Sequence, residues 1–488
     1  MLFNFDNSYA RQMEGFYSSC HSAVVPAPRL IRFNNTLATQ LNLDVDHLSS
    51  NEQLKIFSGN ELPDGSSPLA QVYAGHQFGG FSPQLGDGRA LLLGEVVDKN
   101  GQRFDIQLKG SGRTPYSRGG DGKAGVGPVL REYLLSEAMH ALGVPTTRAL
   151  AAVTTGEQIM RETPIPGAVF TRVAASHIRI GTFQFFASRG EIDKVRQLAD
   201  YTIERHYPDL KERDNPYLNL LEAVCDAQAS LISKWMLIGF VHGVMNTDNM
   251  AISGETIDYG PCAFIDAYNP SAVYSSIDRQ GRYALHNQPS IGQWNLARLA
   301  ETLLALIHPN QDHAIELATN VLNEFPKKYS NQWLQGMGLK LGIRNAEEND
   351  LELINDLLAI MHEYHVDYTS FFRNLSKVLA GDNEAAHNHF SNVLKFEEWL
   401  NRWHARCRDE SLTIEEKVSL MDRVNPVYIP RNHKVEEAIQ QAMSNEDYNK
   451  FEILLEVLSN PYEYQSGRDE YTQPAPREFG EYKTFCGT

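Results

Sequence analysis

A change of hydrophobic period part-way along the chain most constrains its fold. Phe104, Ile106 and Leu108 alternate with Asp105, Gln107 and Lys109, the period of two that marks a strand. Further on, Leu220, Val224, Ala227, Leu231, Trp235 and Ile238 step by three or four, which gives a long helix one buried face. A shorter helix is predicted directly after the strand. Pro128 stands near its start, Gly143 just past its end, and Leu130, Leu134 and Ala138 share a face. Segments 291–306, 351–380 and 434–458 also read as helices. The pattern predicts an α+β chain of two lobes: a small Gly-rich, β-rich lobe over residues 61–165 and a larger helical lobe over 166–458, with a hinge near 160–170. Residues 1–60 are expected to be an irregular lead-in with one or two short helices. Residues 459–488, rich in Pro, Gly, Tyr and charge, are expected to form an irregular C-terminal strap.

Composition removes several classes of function. Lys and Arg number 44 against 61 Asp and Glu, a net charge of −17. Net charge therefore argues against nucleic acid or an anionic membrane as partner. No run of 18 apolar residues is present, so no transmembrane helix is expected, and the N-terminus lacks a basic segment followed by an apolar one. The cysteines Cys20, Cys225, Cys262, Cys407 and Cys486 are widely spread and show neither CxxC nor zinc spacing. A reducing, cytoplasmic location is the expectation.

Moving a group from a nucleoside triphosphate needs metal ligands, a cation to position phosphates, and a group that activates the acceptor. The stretch VHGVMNTDN is followed by DYG. His242 and Asn249 stand seven apart, as in the HRDxxxxN loop of protein kinases, and Asp258-Tyr259-Gly260 stands where kinases carry DFG. The loop departs from that pattern at Val244, where a kinase has its acceptor-side Asp; a valine can neither take a proton nor orient a hydroxyl. Asp248 is the nearest carboxylate that could take over, or else an ordinary loop acid or helix cap. Lys109 ends the alternating strand 23 residues before Glu132, the spacing of a strand lysine and helix glutamate that together hold phosphates, although two exposed charges would look the same. Gly86, Gly88, Gly110, Gly112 and Gly122 belong to Gly-rich stretches whose backbone could approach phosphate oxygens or simply turn between strands. Arg172 and Arg179, seven apart, would share a helix face if the intervening residues are helical, and would bind a polyphosphate or else pair on the surface.

These stretches, with QLKGSGRTPYSRGGDGKA, FTRVAASHIRIGTFQ, QPSIGQWNLARLAETL and NPVYIPRNH, resemble one family over about residues 70–435: selenoprotein O, also called the YdiU family. The resemblance implies a protein-kinase-like two-lobed fold that transfers AMP from ATP, bound in reversed orientation, to Ser, Thr or Tyr hydroxyls of proteins. It implies a Lys109–Glu132 positioning pair, Asn249 and Asp258 as ligands of Mg²⁺ or Mn²⁺, and Asp248 as the base. Gly86, Gly88, Arg89, Lys109, Asp121, Gly122, Arg172, Arg179 and Asp258 would line the nucleotide site. UMP transfer from UTP, phosphate transfer, and a non-catalytic scaffold are the alternatives. Family members end in selenocysteine or cysteine third from the C-terminus, here Cys486, a possible redox residue. Some carry a partner cysteine in the loop after DYG; Tyr274 stands in that place here, leaving Cys262 as the nearest alternative.

Overall fold

The computed structural model describes residues 2–44, 49–390 and 393–484. Eight strands build one sheet: β1 (Tyr17–Ser19), β2 (Arg29–Phe33), β3 (Leu69–Gln71), β4 (Ala90–Val97), β5 (Arg103–Lys109), β6 (Ala124–Gly125), β7 (Arg148–Met160) and β8 (Pro164–Ala174). Their spatial order is β1-β3-β4-β5-β8-β7-β2, with β6 against β8, and every pairing is antiparallel. The first 60 residues, expected as an irregular lead-in, supply both edge strands. Their short runs of three and five residues carry too little periodicity to be read as strands without the neighbours they pair with.

The central strand β5 ends at Lys109, flanked by Ala90 and Phe170. Its alternation is real but does not separate core from solvent, because Asp105 and Gln107 are buried together with Ile106 and Leu108. Each buried polar group has partners. Asp105 accepts from Arg205 at 2.6 Å and from the His177 amide at 2.9 Å. Gln107 accepts from Arg172 at 2.7 Å. The sheet also runs past the hinge expected near 160–170. Pro164 and Pro166 sit at the start of β8, where a missing amide hydrogen is tolerated, and the strand continues to Ala174.

The helices that position the site are α1 (Val126–Ala141), α2 (Ile180–Ala187), α3 (Pro216–Leu237), α4 (Gln288–Ile307), α5 (Gln311–Lys340), α6 (Asn432–Asn445) and α7 (Asn449–Leu458). In α1, Leu130, Leu134 and Ala138 are buried as predicted, but so is most of the helix. The sheet covers one side, and α6 and α7 cover another through Val435, Ala438, Phe451 and Leu454. Two segments read as single helices are each a pair. Residues 351–380 break where Asp367 caps a new helix by accepting from the Ser370 amide at 2.8 Å. Residues 434–458 break at Glu446, whose φ of 51° ends α6.

Candidate active site

Gly86, Gly88, Arg89, Lys109, Asp121, Gly122, Glu132, Arg172, Arg179, Asp248, Asn249 and Asp258, all singled out from the sequence, line one cavity of about 900 Å³ between the sheet and the helical lobe; Gly110 and Gly112 do not line it. Cys486 lies outside the described residues. Lys109 enters from β5 and Glu132 from α1, and their side chains meet at 2.7 Å. The same ammonium lies 2.6 Å from Asp258 Oδ1. Arg172 bonds Asp258 at 2.8 Å and Glu132 at 3.2 Å, and Arg179 stands 3.7 Å from the other Asp258 oxygen. Burial alone would raise the Asp258 pKa, but Lys109, Arg172 and Arg179 hold its carboxyl well below the usual range. Three cations, Lys109, Arg172 and Arg179, converge on the Asp258 carboxylate, an environment that can hold a polyphosphate.

The two arginines do not share a helix. Arg172 lies on β8, and Arg179 is the residue before α2, in extended conformation. The intervening residues leave the sheet at Ala174 and cross to the helical lobe, so the seven-residue spacing joins two lobes and not two helical turns. Arg179 also stacks over the Tyr73 ring at 4.4 Å and reaches Asp87 at 3.4 Å.

The loop after α3 is held by a short strand pair, Phe240–Val241 with Ala263–Phe264. His242 ties its two ends together. Its Nε2 donates to the Ile257 carbonyl at 3.0 Å while its Nδ1 accepts from the Val244 amide at 3.4 Å, so one tautomer serves both bonds. Burial keeps this ring neutral by lowering its pKa. Asp258 follows Ile257 with φ of 65°, a left-handed conformation that Asp adopts more readily than most residues. Val244 is buried and lines the cavity. Asn249 donates to the Val244 carbonyl at 3.1 Å.

Asp248 is nearly buried, and burial pushes its carboxyl up to about 6. Gln77 donates to its Oδ2 at 3.1 Å, whereas Oδ1 is buried with no hydrogen-bond partner. A Cβ on Gly75 would stand 2.2 Å from that oxygen, so only glycine permits this approach. The Asp258 carboxylate and the Asn249 side-chain oxygen, both lining the cavity, are the hard oxygen donors that suit a divalent cation. Among the described residues no three His, Cys, Asp or Glu side chains converge on a metal by themselves; phosphate oxygens would complete the shell.

Several contributors escape a reading of motifs. Gln77, Asp87, Gln107 and Tyr73 hold Asp248, Arg179 and Arg172 in place, yet none was singled out as a site residue. Asp87 had a local signal, lying between Gly86 and Gly88, and Gln107 lies on the alternating strand two residues before Lys109. Asp121 is gripped by Arg161 at 2.8 and 3.1 Å, and those bonds hold its carboxyl below the usual range. Cys262 is fully buried, and burial pushes its thiol up to about 11, which disfavours the reactive thiolate. The Cys262 carbonyl accepts from Arg131, which also bonds the Gly260 carbonyl at 3.0 Å and the Tyr482 hydroxyl at 2.9 Å.

A strand lysine, a helix glutamate and a loop aspartate meeting over a cleft between a sheet and a helical lobe define a kinase-like nucleotide enzyme whose acceptor-side Asp has been replaced. The family model described as "Protein adenylyltransferase SelO" matches residues 1–459. Relatives named "Protein nucleotidyltransferase YdiU" are 56% identical in Rhizobium rhizogenes, over 99% of this chain and 97% of theirs. In Cereibacter sphaeroides the figure is 56% over the full length of both, and in Agrobacterium fabrum 53% over the full length of both. The chain belongs to the SelO family and is a nucleotidyltransferase. No helix among the described residues is long and apolar enough to cross a membrane.

Proposed function

We propose that this protein transfers AMP from ATP, bound in reversed orientation, to Ser, Thr or Tyr hydroxyls of cytoplasmic proteins. The carrying observation is the pairing of Val244 with the cluster of Lys109, Arg172 and Arg179 around Asp258. The carboxylate that a phosphotransferase keeps beside its acceptor is missing, while cations sufficient for a pyrophosphate converge deep in the cleft. Asn249 and Asp258 would hold Mg²⁺ or Mn²⁺, which lends charge neutralisation to the phosphates. Gly86, Gly88, Arg89, Asp121 and Gly122 line the remainder of the nucleotide's place.

In this reading the acceptor oxygen attacks the α-phosphorus and its proton passes to Asp248. The bond from the α-phosphorus to the bridging oxygen breaks, and pyrophosphate leaves among Lys109, Arg172 and Arg179. Glu132 touches none of the reacting atoms; it orients Lys109 and Arg172. ATP labelled at the α- or γ-phosphorus, incubated with acceptor proteins, tests the reading. Retention of the α-label with a mass gain of one AMP supports it, as does its loss in Asp248→Ala with ATP binding intact. Retention of the γ-label alone overturns it in favour of phosphate transfer. ATP binding without either label favours a scaffold.

A further inference from the structure

Beside Asp248 lies a surface that the nucleotide reading does not use. Gly75–Gln77 and Gly80–Ser82 form a hairpin whose two-residue tip, Phe78 and Gly79, has φ of 50° and 86°, the pattern of a tight primed turn. A phenylalanine with positive φ is strained, and the tip is held by the catalytic loop. The Phe78 amide donates to Asn246 Oδ1 at 3.1 Å, and the Tyr283 hydroxyl donates to the same oxygen at 2.7 Å. One face of the hairpin carries Gln77 to Asp248. The other carries His76 and Phe81, whose rings lie 4.8 Å apart, with Trp294 5.2 Å from His76. Phe81 is 41% exposed.

Two arginines lie on this aromatic ledge. Arg282 stacks 4.8 Å and Arg298 4.9 Å from the centre of the Trp294 ring. Arg298 is paired with Glu301 at 2.7 Å. Arg282 has no carboxylate within ion-pairing distance among the described residues, and its Nε is buried without a hydrogen-bond partner. Asp278, the nearest acid in sequence, points its oxygens at the Arg282 and Tyr283 amides, at 2.9 and 2.8 Å. The guanidinium carbon of Arg282 lies 3.6 Å from where a Cβ on Gly79 would stand, at the tip of the hairpin. On a chain of net charge −17, this is a local reversal of sign. A stacked guanidinium that faces no carboxylate can donate to one brought by a partner.

We propose that the hairpin Gly75–Ser82, with Arg282 and Trp294, is the docking ledge for the target protein, and that it selects a segment with an acidic residue close to the hydroxyl presented to Asp248. The inference rests on the transferase reading above. Gln77 reaches Asp248 from the same hairpin whose tip Arg282 covers, so an ion pair with Arg282 forms outside the reacting centre and acts on binding more than on turnover.

Serine peptides flanked by Asp, by Ala or by Lys, with α-labelled ATP, test it. The wild-type KM should be lowest for the acidic peptide, by about tenfold over the neutral one, with similar kcat. Arg282→Ala should erase this preference and Arg282→Glu should reverse it toward the Lys-flanked peptide, each with unchanged ATP affinity. Equal KM for all three peptides on the wild type overturns the ledge alone and needs no variant. An acidic preference that survives in Arg282→Glu with ATP affinity intact also overturns it. Absence of α-label on every peptide, with ATP bound, overturns the transferase reading and the ledge with it.

Discussion

At the scale of single residues, the site and the core place charges under different rules. Around Asp258 every buried cation faces a carboxylate. Lys340, at the end of α5, is buried with no carboxylate in ion-pairing range among the described residues. Its ammonium faces the rings of Phe372 at 4.4 Å and Tyr368 at 5.1 Å, a weaker compensation than a counter-charge. Burial lowers its pKa from 10.5 to about 7. Below that value the amine is charged in both folded and unfolded chains, and the folded state bears the full cost of burying the charge. Above 10.5 it is neutral in both, and the cost vanishes. Stability therefore gains from this group as pH rises through the interval between. Lys340→Met should be more stable than the parent by about 3 kcal/mol near pH 6.5, with the difference shrinking toward pH 10. Denaturant titrations at the two pH values check this, and a constant difference would contradict it.

At the scale of elements, legibility followed contiguity. His242, Asp248, Asn249 and Asp258 sit within one short stretch, and Lys109 and Glu132 lie on a strand and a helix parted only by the two-residue β6, so their meeting could be foreseen. The edge strands could not, because their partners lie about 50 and 120 residues further on. Gln77 and Asp87 act through tertiary contact alone. Arg172 and Arg179 were rightly expected in the cleft but for the wrong local reason, since seven residues can join a strand to a helix start as readily as two helical turns. The longest helix, α5, shows a further relation across elements. Pro326 lies inside it and, lacking an amide hydrogen, leaves the Leu322 carbonyl without its helical donor. Gln293 of α4 donates to that carbonyl at 2.9 Å. Gln293→Ala should cost about 1 kcal/mol in the parent and clearly less in a Pro326→Ala background, where the helical bond is restored. A double-mutant cycle by denaturant unfolding measures this, and equal costs in both backgrounds would show that the side chain does not serve the orphaned carbonyl.

At the scale of the whole molecule, the C-terminal strap closes over the loop that follows Asp258. Thr484 pairs with the loop at Tyr274–Ser276, its amide donating to the Tyr274 carbonyl at 2.8 Å and its carbonyl accepting from Ser276 at 3.0 Å. Its hydroxyl reaches the Pro261 carbonyl at 2.8 Å, so the strap crosses the segment just after Asp258. A chain ending at Gly480 should show faster hydrogen exchange at the Ser276 amide, with amides in the middle of α1 unchanged. Unaltered exchange at Ser276 would mean that the strap does not hold this loop. The packing of α6 and α7 on α1 has an effect in time as well as in space. A ribosome delivers β5 and α1 early, yet the side of α1 that α6 and α7 cover, through Val435, Ala438, Phe451 and Leu454, stays bare until those two helices have been synthesised. Glu132 is carried on that helix. The helix that carries Glu132 to Lys109 therefore gains its full packing only after α6 and α7 have been made, long after the strand that carries Lys109.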